Sequence, residues 1–291
     1  MTSTIAVLGA SGVYGRHLVP RLIHAGYRVR ALVRKPATAA AAAACGAEVR
    51  AADIFDTGSL RPGLEGCDVA INLATSLPSP AKQGGDSNAN NRVRREGVPI
   101  FLAACADAGV QRVVQQSIAM VHCGGGDAWV DETTPYVPAP PGIVGEAITV
   151  AREMEELVAA SALDWLILRG ALFYGPGTGF DDDWFARAQA GKLKLPEAGA
   201  EFVSLVHVTD MADATVAALG RWPSRQRLIV ADDEPVRWRD LFGYVAAAAG
   251  GTTPETGGPV RFPSFRVRNA RAREVLAWQP RFANYRIGLA R

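Results

Sequence analysis

Short apolar runs alternate with longer segments of mixed apolar and polar residues through the first 170 positions of the chain. The apolar runs predict strands at Ile5–Leu8, Arg28–Val33, Glu48–Ala51, Val69–Leu73, Arg112–Gln116 and Trp165–Leu168. The mixed segments predict helices at about Val13–Ala25, Ala37–Cys45, Gly58–Leu64, Arg92–Ala108 and Gly145–Ala160. Strands and helices in alternation build a parallel sheet that is covered on both faces. The pattern therefore predicts an α/β fold with a doubly wound parallel sheet of at least six strands.

The chain changes character after Arg169, where glycine and proline interrupt it more often. Further helices are predicted at Thr209–Leu219, Trp238–Ala249 and Ala270–Leu276, and further strands at Phe202–Val206 and Arg227–Val230. We therefore expect residues 1–170 to form the sheet domain and residues 171–291 to form a smaller lobe, partly interwoven with it.

Composition and charge exclude several classes of protein. The 291 residues are 48% hydrophobic, which is enough for a large buried core, and the net charge is only +2. This balance gives no reason to expect nucleic acid or an anionic membrane as a partner. The basic stretch RVRREG at 92–97 is interpreted as a solvated helix face.

Cysteine usage and the N-terminal sequence point to a soluble protein of the cytoplasm. Cys45, Cys67, Cys105 and Cys123 form no C-x-x-C pair, so buried free thiols are expected and no metal site is predicted. No basic-then-apolar export signal opens the sequence, and no apolar run is long enough to cross a membrane.

Three glycines follow the first predicted strand in the stretch AVLGASGVYG at 6–15. Gly9 permits a tight exit from the strand, Gly12 lets the backbone approach a pyrophosphate, and Gly15 lets the helix pack close to the sheet. Exposed N–H groups at the start of that helix would face the diphosphate. The other cofactor-binding candidates in this turn are Ser11, Val13 and Tyr14. The turn favours a Rossmann-like dinucleotide-binding domain over an ordinary strand-to-helix connection.

The end of the second predicted strand distinguishes the two nicotinamide cofactors. An acidic residue there holds the ribose 2′-hydroxyl of NAD, whereas a basic residue suits the 2′-phosphate of NADP. The stretch ALVRKP places Arg34 there, with Lys35 beside it. NADP(H) is therefore favoured over NAD(H), and the alternative is that both side chains belong to a solvated turn.

These residues resemble the extended short-chain dehydrogenase/reductase superfamily, in particular its epimerase/dehydratase-like branch. DIFD at 53–56 is similar to the segment that reads adenine, which implies cofactor contacts for Asp53 and Ile54. INLA at 71–74 is similar to the strand that lines the cofactor, which implies contacts for Leu73, Ala74 and Thr75. Further segments that resemble the family are RVVQQSIAMVH at 112–122, LDWLILRGALFYGPG at 163–177, VSLVHVTDMADA at 203–214 and VRNARAREVLAWQPRFANYRIGL at 267–289.

The resemblance breaks at the catalytic pair. Members that perform redox chemistry carry Tyr-x-x-x-Lys on one helical face, and the lysine lowers the pKa of the tyrosine. Alignment on MEELVAASALDWLILR places these positions at Ala147 and Ala151, and counting from VPAPPG places them near Gly142 and Glu146. No lysine occurs between Lys82 and Lys192, so the pair is absent in either alignment.

Three residues are candidates for the missing chemistry. Ser117 is the hydroxyl of the strand-five segment, although the family's serine position aligns with Ile118. His122 follows that strand and has an ordinary pKa suited to acid and base work, but it could be a packed or solvated loop residue. Tyr136 lies in a loop expected near the pocket and could donate from its phenol, or could only anchor the loop.

Three functions remain open at this level. The first is an NADP(H)-dependent oxidoreductase that reduces a small carbonyl or enone with a nonstandard proton donor. The second is a redox-neutral isomerase, epimerase, cyclase or dehydratase with bound nucleotide. The third is a dinucleotide-binding sensor or scaffold. The residues 171–291 are expected to bind a small-molecule substrate, and a homodimer is possible; the substrate and the direction of reaction are not specified.

Overall fold

The structure of the protein, a computed structural model, describes residues 2–77, 86–258 and 262–290. A parallel sheet of seven strands forms its centre. The strands are β1 (Thr4–Leu8), β2 (Arg28–Val33), β3 (Glu48–Ala51), β4 (Val69–Asn72), β5 (Arg112–Ile118), β6 (Asp164–Gly170) and β7 (Gln226–Val230). They lie in the order β7-β6-β5-β4-β1-β2-β3. The predicted doubly wound parallel sheet is confirmed.

Helices cover both faces of this sheet. They are α1 (Val13–His24), α2 (Ala40–Ala44), α3 (Thr57–Leu64), α4 (Ser87–Arg92), α5 (Val98–Asp107), α6 (Ile143–Ala159), α7 (Phe180–Gln189), α8 (Val208–Arg221), α9 (Trp238–Ala248), α10 (Ala270–Leu276) and α11 (Tyr285–Gly288). A π-helical turn at Val93–Gly97 joins α4 to α5. Short 3-10 turns lie at Pro36–Ala39 and Ala119–His122.

The two faces of the sheet belong to two separate apolar cores. Side chains alternate along a strand, so Ile5 and Val7 of β1 enter one core while Ala6 and Leu8 enter the other. The first core is closed by α1 and α8, and the second by α3, α5 and α6. Burial on both faces explains why β1 and β4, in the middle of the sheet, are nearly continuous apolar runs.

The second part of the chain contributes to the central sheet as well as forming small sheets of its own. β7 lies beside β6 at the sheet edge, so the predicted strand at 227–230 belongs to the main sheet. Short strand pairs join Phe202–Val203 to Val236–Arg237, Leu205–His207 to Leu172–Tyr174, Lys194–Pro196 to Glu255–Gly258, and Trp129–Val130 to Arg266–Val267. The boundary at 170/171 and the interweaving of the two parts stay predictions.

Two expectations about individual residues are wrong. The stretch 92–97 is not wholly a solvated face, because Arg94 is only 6% exposed. α6 packs against the π turn that carries Arg94, and the side chain lies between them. Cys45 is exposed rather than buried, since the alanine-rich segment before it covers the sheet with only part of its surface.

Within the described residues, the longest helices are too short or too polar to cross a bilayer. The same residues contain no group of three or more His, Cys, Asp or Glu side chains placed to hold a metal ion.

Candidate functional site

The glycine turn between β1 and α1 is built so closely that side chains could not replace its first and third glycines. Gly9 has φ +85°, and a Cβ there would lie 2.9 Å from the carbonyl carbon of Leu73. A Cβ on Gly15 would lie 2.5 Å from the carbonyl oxygen of Ala10. The close neighbour of Gly15 is thus the backbone of the turn itself, and not the sheet as expected.

The N-terminus of α1 is open. Gly12 precedes the helix and is exposed, no side chain caps the helix, and no acidic residue occupies its first turn. The N–H groups of such an end attract anions such as phosphate. The structure therefore fits a diphosphate at this turn, with backbone donors at Ser11 and from Val13 to Gly15, while the N–H of Gly12 donates to the carbonyl of Gly9 at 2.9 Å.

The side chain of Tyr14 does not reach this turn. Its phenol bonds to Thr215 of α8 and packs edge-on against Phe173, and burial raises its pKa. Only the backbone of Tyr14 is placed to contact a diphosphate.

The residues predicted to bind the adenosine half follow β2 and β3. Arg34 comes directly after β2, is exposed, and makes no hydrogen bond or ion pair within the part of the chain that the structure describes. Asp53 accepts a hydrogen bond from the N–H of Phe55 at 3.0 Å and is half-buried. Ile54 is buried against Gly97, so its backbone is the part available to a ligand.

The segment after β4 continues the same edge of the sheet. The N–H of Leu73 donates to the carbonyl of Leu8 at 2.9 Å, and the N–H of Ala74 donates to the side chain of Asn72 at 3.0 Å. Thr75 is exposed. The predicted cofactor residues thus lie along the carboxyl ends of four neighbouring strands, where such sheets bind ligands.

A buried ion pair organises the predicted catalytic residues. Arg169, at the end of β6, is 1% exposed and donates to both carboxylate oxygens of Glu155 on α6, with Nε to Oε1 at 3.0 Å. Ser117 lies beside Arg169 in the register of β5 and β6 and donates from Oγ to Glu155 at 2.6 Å. Arg169 also contacts His122 and Tyr136. The ion pair therefore gathers the three predicted residues: Glu155 holds Ser117, and Arg169 holds His122 and Tyr136.

His122 is neutral in this cluster. Its Nε2 lies 2.7 Å from Nη1 of Arg169 and must accept that hydrogen bond, because a guanidinium only donates. Burial and the charges of Arg169 and Arg152 lower the pKa of His122 to about 4. The residue is 4% exposed. This environment disfavours the acid role proposed for His122 from the sequence.

Tyr136 is the member of the cluster that reaches solvent. Its side chain is 39% exposed, its hydroxyl oxygen accepts a hydrogen bond from Nη2 of Arg169, and the guanidinium of Arg152 lies 4.5 Å from its ring centre. Burial and the nearby charge of Glu155 raise its pKa, against the opposite effect of Arg169. At neutral pH the phenol keeps its proton and can donate it outward.

The sequence analysis missed Arg169 and Glu155. Both interrupt apolar patterns: Arg169 ends the buried run of β6, and Glu155 lies on the buried face of α6 between Ala151 and Val158. A charged residue at such a position is nearly always paired, and this signal would have linked the two.

α6 carries neither tyrosine nor lysine. Ala151 is fully buried, and the carbonyl of Ala147 accepts a hydrogen bond from Nη1 of Arg94 at 2.8 Å. Arg94 lines a narrow crevice of about 10 Å³ together with Thr75, Ser117 and Ile118. The guanidinium of Arg94 thus lies beside Ala147, where the alignment on MEELVAASALDWLILR places the family's tyrosine.

Comparison with known proteins identifies related sequences. A family described as NAD(P)H-binding matches residues 9–221. The 3-diazoavenalumate denitrifying reductase of a Streptomyces species is 35% identical, and the alignment covers 99% of each chain. A 4-hydroxy-2-methyl-3-oxo-4-farnesyl-3,4-dihydroquinoline-1-oxide ketoreductase of Stigmatella aurantiaca is 27% identical over 84% of this chain and 72% of that protein.

Solved structures support the fold. A dTDP-glucose 4,6-dehydratase of Streptomyces venezuelae, crystallised with NAD, superposes with a TM-score of 0.82 at 21% identity. The match covers 99% of this chain and 94% of the dehydratase.

Proposed function

The chain belongs to the NAD(P)H-binding family of the extended short-chain dehydrogenase/reductase superfamily, and from this membership we propose an NADPH-dependent reductase of a small carbonyl or enone substrate. One observation carries the proposal: the open N-terminus of α1 and the cluster on Arg169 lie at the same edge of the sheet. When bound, a nicotinamide cofactor supplies hydride. Relatives named as reductases support reduction of the substrate rather than its oxidation.

Arg34 supports the choice of NADPH. Its guanidinium is exposed and unpaired among the described residues at the end of β2, and a guanidinium binds phosphate oxygens with two parallel hydrogen bonds. An NAD-specific protein of this fold would hold the ribose with a carboxylate at this point.

Tyr136 is the proton donor we propose for a carbonyl or enone substrate. With hydride supplied to the substrate carbon by a bound cofactor, the π electrons would move to the substrate oxygen, and the O–H bond of Tyr136 would break to transfer its proton there. Arg169 and Arg152 stabilise the phenolate that remains, and its exposure lets water restore the proton. Glu155 and Ser117 hold Arg169 in place, so their part is positioning.

The test combines the purified protein, NADPH and a panel of aldehydes, ketones and enones, with nicotinamide absorbance as the readout. We expect Tyr136→Phe to lower kcat by about 100-fold, the low end for loss of an acid catalyst, while NADPH binding is unchanged. Tyr244→Phe is the control, since that phenol bonds the carbonyl of Arg286 outside the cluster. Binding of NADPH without consumption of any substrate would count against a reductase, and product formation without net cofactor change would indicate redox-neutral chemistry.

A second candidate is the reductive loss of nitrogen from a diazonium substrate. Two observations favour it: the relative named for that type of reaction aligns end to end, and α6 lacks the tyrosine and lysine. With hydride supplied by a bound cofactor, a C–H bond would form at the carbon that carries the diazonium group, and the C–N bond would break with its electron pair leaving on dinitrogen. No oxygen is protonated, so no acid is required.

An arenediazonium salt incubated with enzyme and NADPH distinguishes the two candidates. Dinitrogen release with one NADPH consumed, undiminished in Tyr136→Phe, supports the second candidate. A rate equal to that of NADPH alone in buffer rules it out.

A further inference from the structure

Arg94 is a buried cation that the proposed chemistry has not used. Its residue is 6% exposed, and its hydrogen bond within the described part of the chain goes from Nη1 to the carbonyl of Ala147 at 2.8 Å. Burial lowers its pKa to about 10, against the opposing effect of Glu155. The guanidinium is therefore still charged at neutral pH.

Glu155 is the acid whose charge raises the pKa of Arg94, but its carboxylate already pairs with other arginines. Glu155 accepts from Arg169 through both oxygens, and Arg227 lies 3.4 Å from it. Among the described residues no carboxylate forms an ion pair with Arg94. Because a buried charge is costly unless it is paired, Arg94 leaves this region with a positive charge that an anion would balance.

The position of Arg94 suggests where that anion would come from. The crevice that Arg94 lines is also lined by Thr75 after β4 and by Ser117 and Ile118 at the end of β5. In a doubly wound sheet the second half of the strand order, from β4 onward, faces the nicotinamide end of the cofactor. π-Helical turns such as Val93–Gly97 are frequent at functional sites.

The helix before this turn supplies a second observation. Asn91 is 4% exposed, and neither polar atom of its side chain has a partner among the described residues. Asn90 likewise buries its Nδ2 without a partner. Buried polar groups are satisfied in nearly all native proteins, so a polar ligand or water is expected near these residues.

We propose that Arg94 binds a carboxylate group of the substrate, which makes the substrate an organic acid. The proposal rests on the proposed reductase function and names its substrate class. A carboxylate oxygen accepts charge-assisted hydrogen bonds from a guanidinium, and the crevice of about 10 Å³ has room for one water-sized group, here one oxygen of that carboxylate. The remainder of the substrate lies outside the crevice.

Calorimetry with matched probes tests the assignment in the protein saturated with NADP+. The probes are cinnamate with cinnamamide and benzoate with benzamide, which differ in charge but little in shape. We expect wild-type protein to bind at least one carboxylate about tenfold more tightly than its amide, and Arg94→Gln to abolish that preference. Arg95→Gln is the matched control, because Arg95 is exposed and pairs with Glu146 and Glu153.

Affinity for NADP+ separates this proposal from the proposed function. Arg94→Gln should bind NADP+ as wild type does, and failure of the wild type to bind NADP+ would count against the proposed function itself. Equal affinity of wild type for acids and amides, including binding of neither, overturns the carboxylate assignment, and so does an undiminished preference in Arg94→Gln. If Arg94→Gln does not fold, Arg94→Lys decides: it keeps the charge and must retain part of the preference.

Discussion

At the scale of one residue, the exposed guanidinium of Arg34 is the basis for the expected preference for NADPH over NADH. Arg34→Ala removes a charged donor from the 2′-phosphate site, so we expect the KM for NADPH to rise about tenfold or more while that for NADH stays the same. Steady-state kinetics with both cofactors is the measurement. Arg28→Ala, at the opposite end of the same strand, should change neither value, and an unchanged NADPH preference in Arg34→Ala would contradict the assignment.

Glu155 and Glu156 are neighbours on α6 with opposite surroundings. Glu155→Gln leaves Arg169 buried at 1% exposure without its counter-ion, so we expect the free energy of unfolding to fall by about 3–5 kcal/mol. Glu156 is exposed and pairs with Arg227 at the surface, so Glu156→Gln should cost less than about 1 kcal/mol. Urea unfolding of both variants measures the difference, and similar losses would mean that the buried pair is not the stabilising feature.

The surroundings of a helix decide whether replacing a glycine by alanine stabilises or destabilises the protein, as two glycines show. A Cβ at Gly15 of α1 would meet the carbonyl of Ala10 at 2.5 Å, whereas a Cβ at Gly243 of α9 meets nothing within 4 Å. We expect Gly15→Ala to destabilise the protein by about 1–3 kcal/mol and to weaken NADPH binding. Gly243→Ala should stabilise it by about 0.5–1 kcal/mol, because alanine has the higher helix propensity. Thermal melting with and without NADPH checks both, and a stabilised Gly15→Ala would show that the turn is looser than described.

The segment from α4 to α5 shows how an element can be predicted in part. The helical pattern is present from 92 to 108, and the sequence analysis treated it as one helix. The structure begins the helical segment at Ser87 and interrupts it with the π turn at Val93–Gly97. Asp86 caps the first turn by accepting from the N–H groups of Asn88 and Ala89. The capping residue was readable in the sequence, but the change of helical pitch depends on packing against α6.

At the scale of the whole molecule, two buried histidines make stability depend on pH. Burial lowers the pKa of both His122 and His207 to about 4 from 6.5. Between these values the unfolded chain binds protons that the folded chain does not, so the free energy of unfolding falls as pH decreases from about 6.5 to 4.

His122→Asn should reduce this dependence, and urea unfolding at several pH values measures the slope. His24→Asn is the control, because that side chain is exposed. Each variant is compared with wild type at the same pH, which cancels the contributions of shared carboxylates. A slope that is the same in His122→Asn and wild type would contradict the buried neutral state.

Most of the fold could be read from local patterns. The bounds of β2, β3 and α10 agree with the prediction, β1, β4 and β5 differ by one or two residues at one end, and β6 is longer at both ends. Apolar runs, glycine turns and helical periodicity are properties of neighbouring residues, and hydrogen bonding in strands and helices follows them closely. The small strand pairs of the second part were mostly missed, because two-residue strands form only where a distant partner lies beside them.

The sequence by itself determined the doubly wound sheet, the glycine turn and the basic residue at the end of β2, because each depends on residues close together in the chain. Tertiary structure alone decided that Ser117, Glu155 and Arg169 meet, since the register of β5 with β6 and the packing of α6 bring them together. It also decided that Arg94 is buried while Arg95, one residue later, is exposed. A long polar side chain is exposed or buried according to the element that packs opposite it, and no local pattern specifies that element.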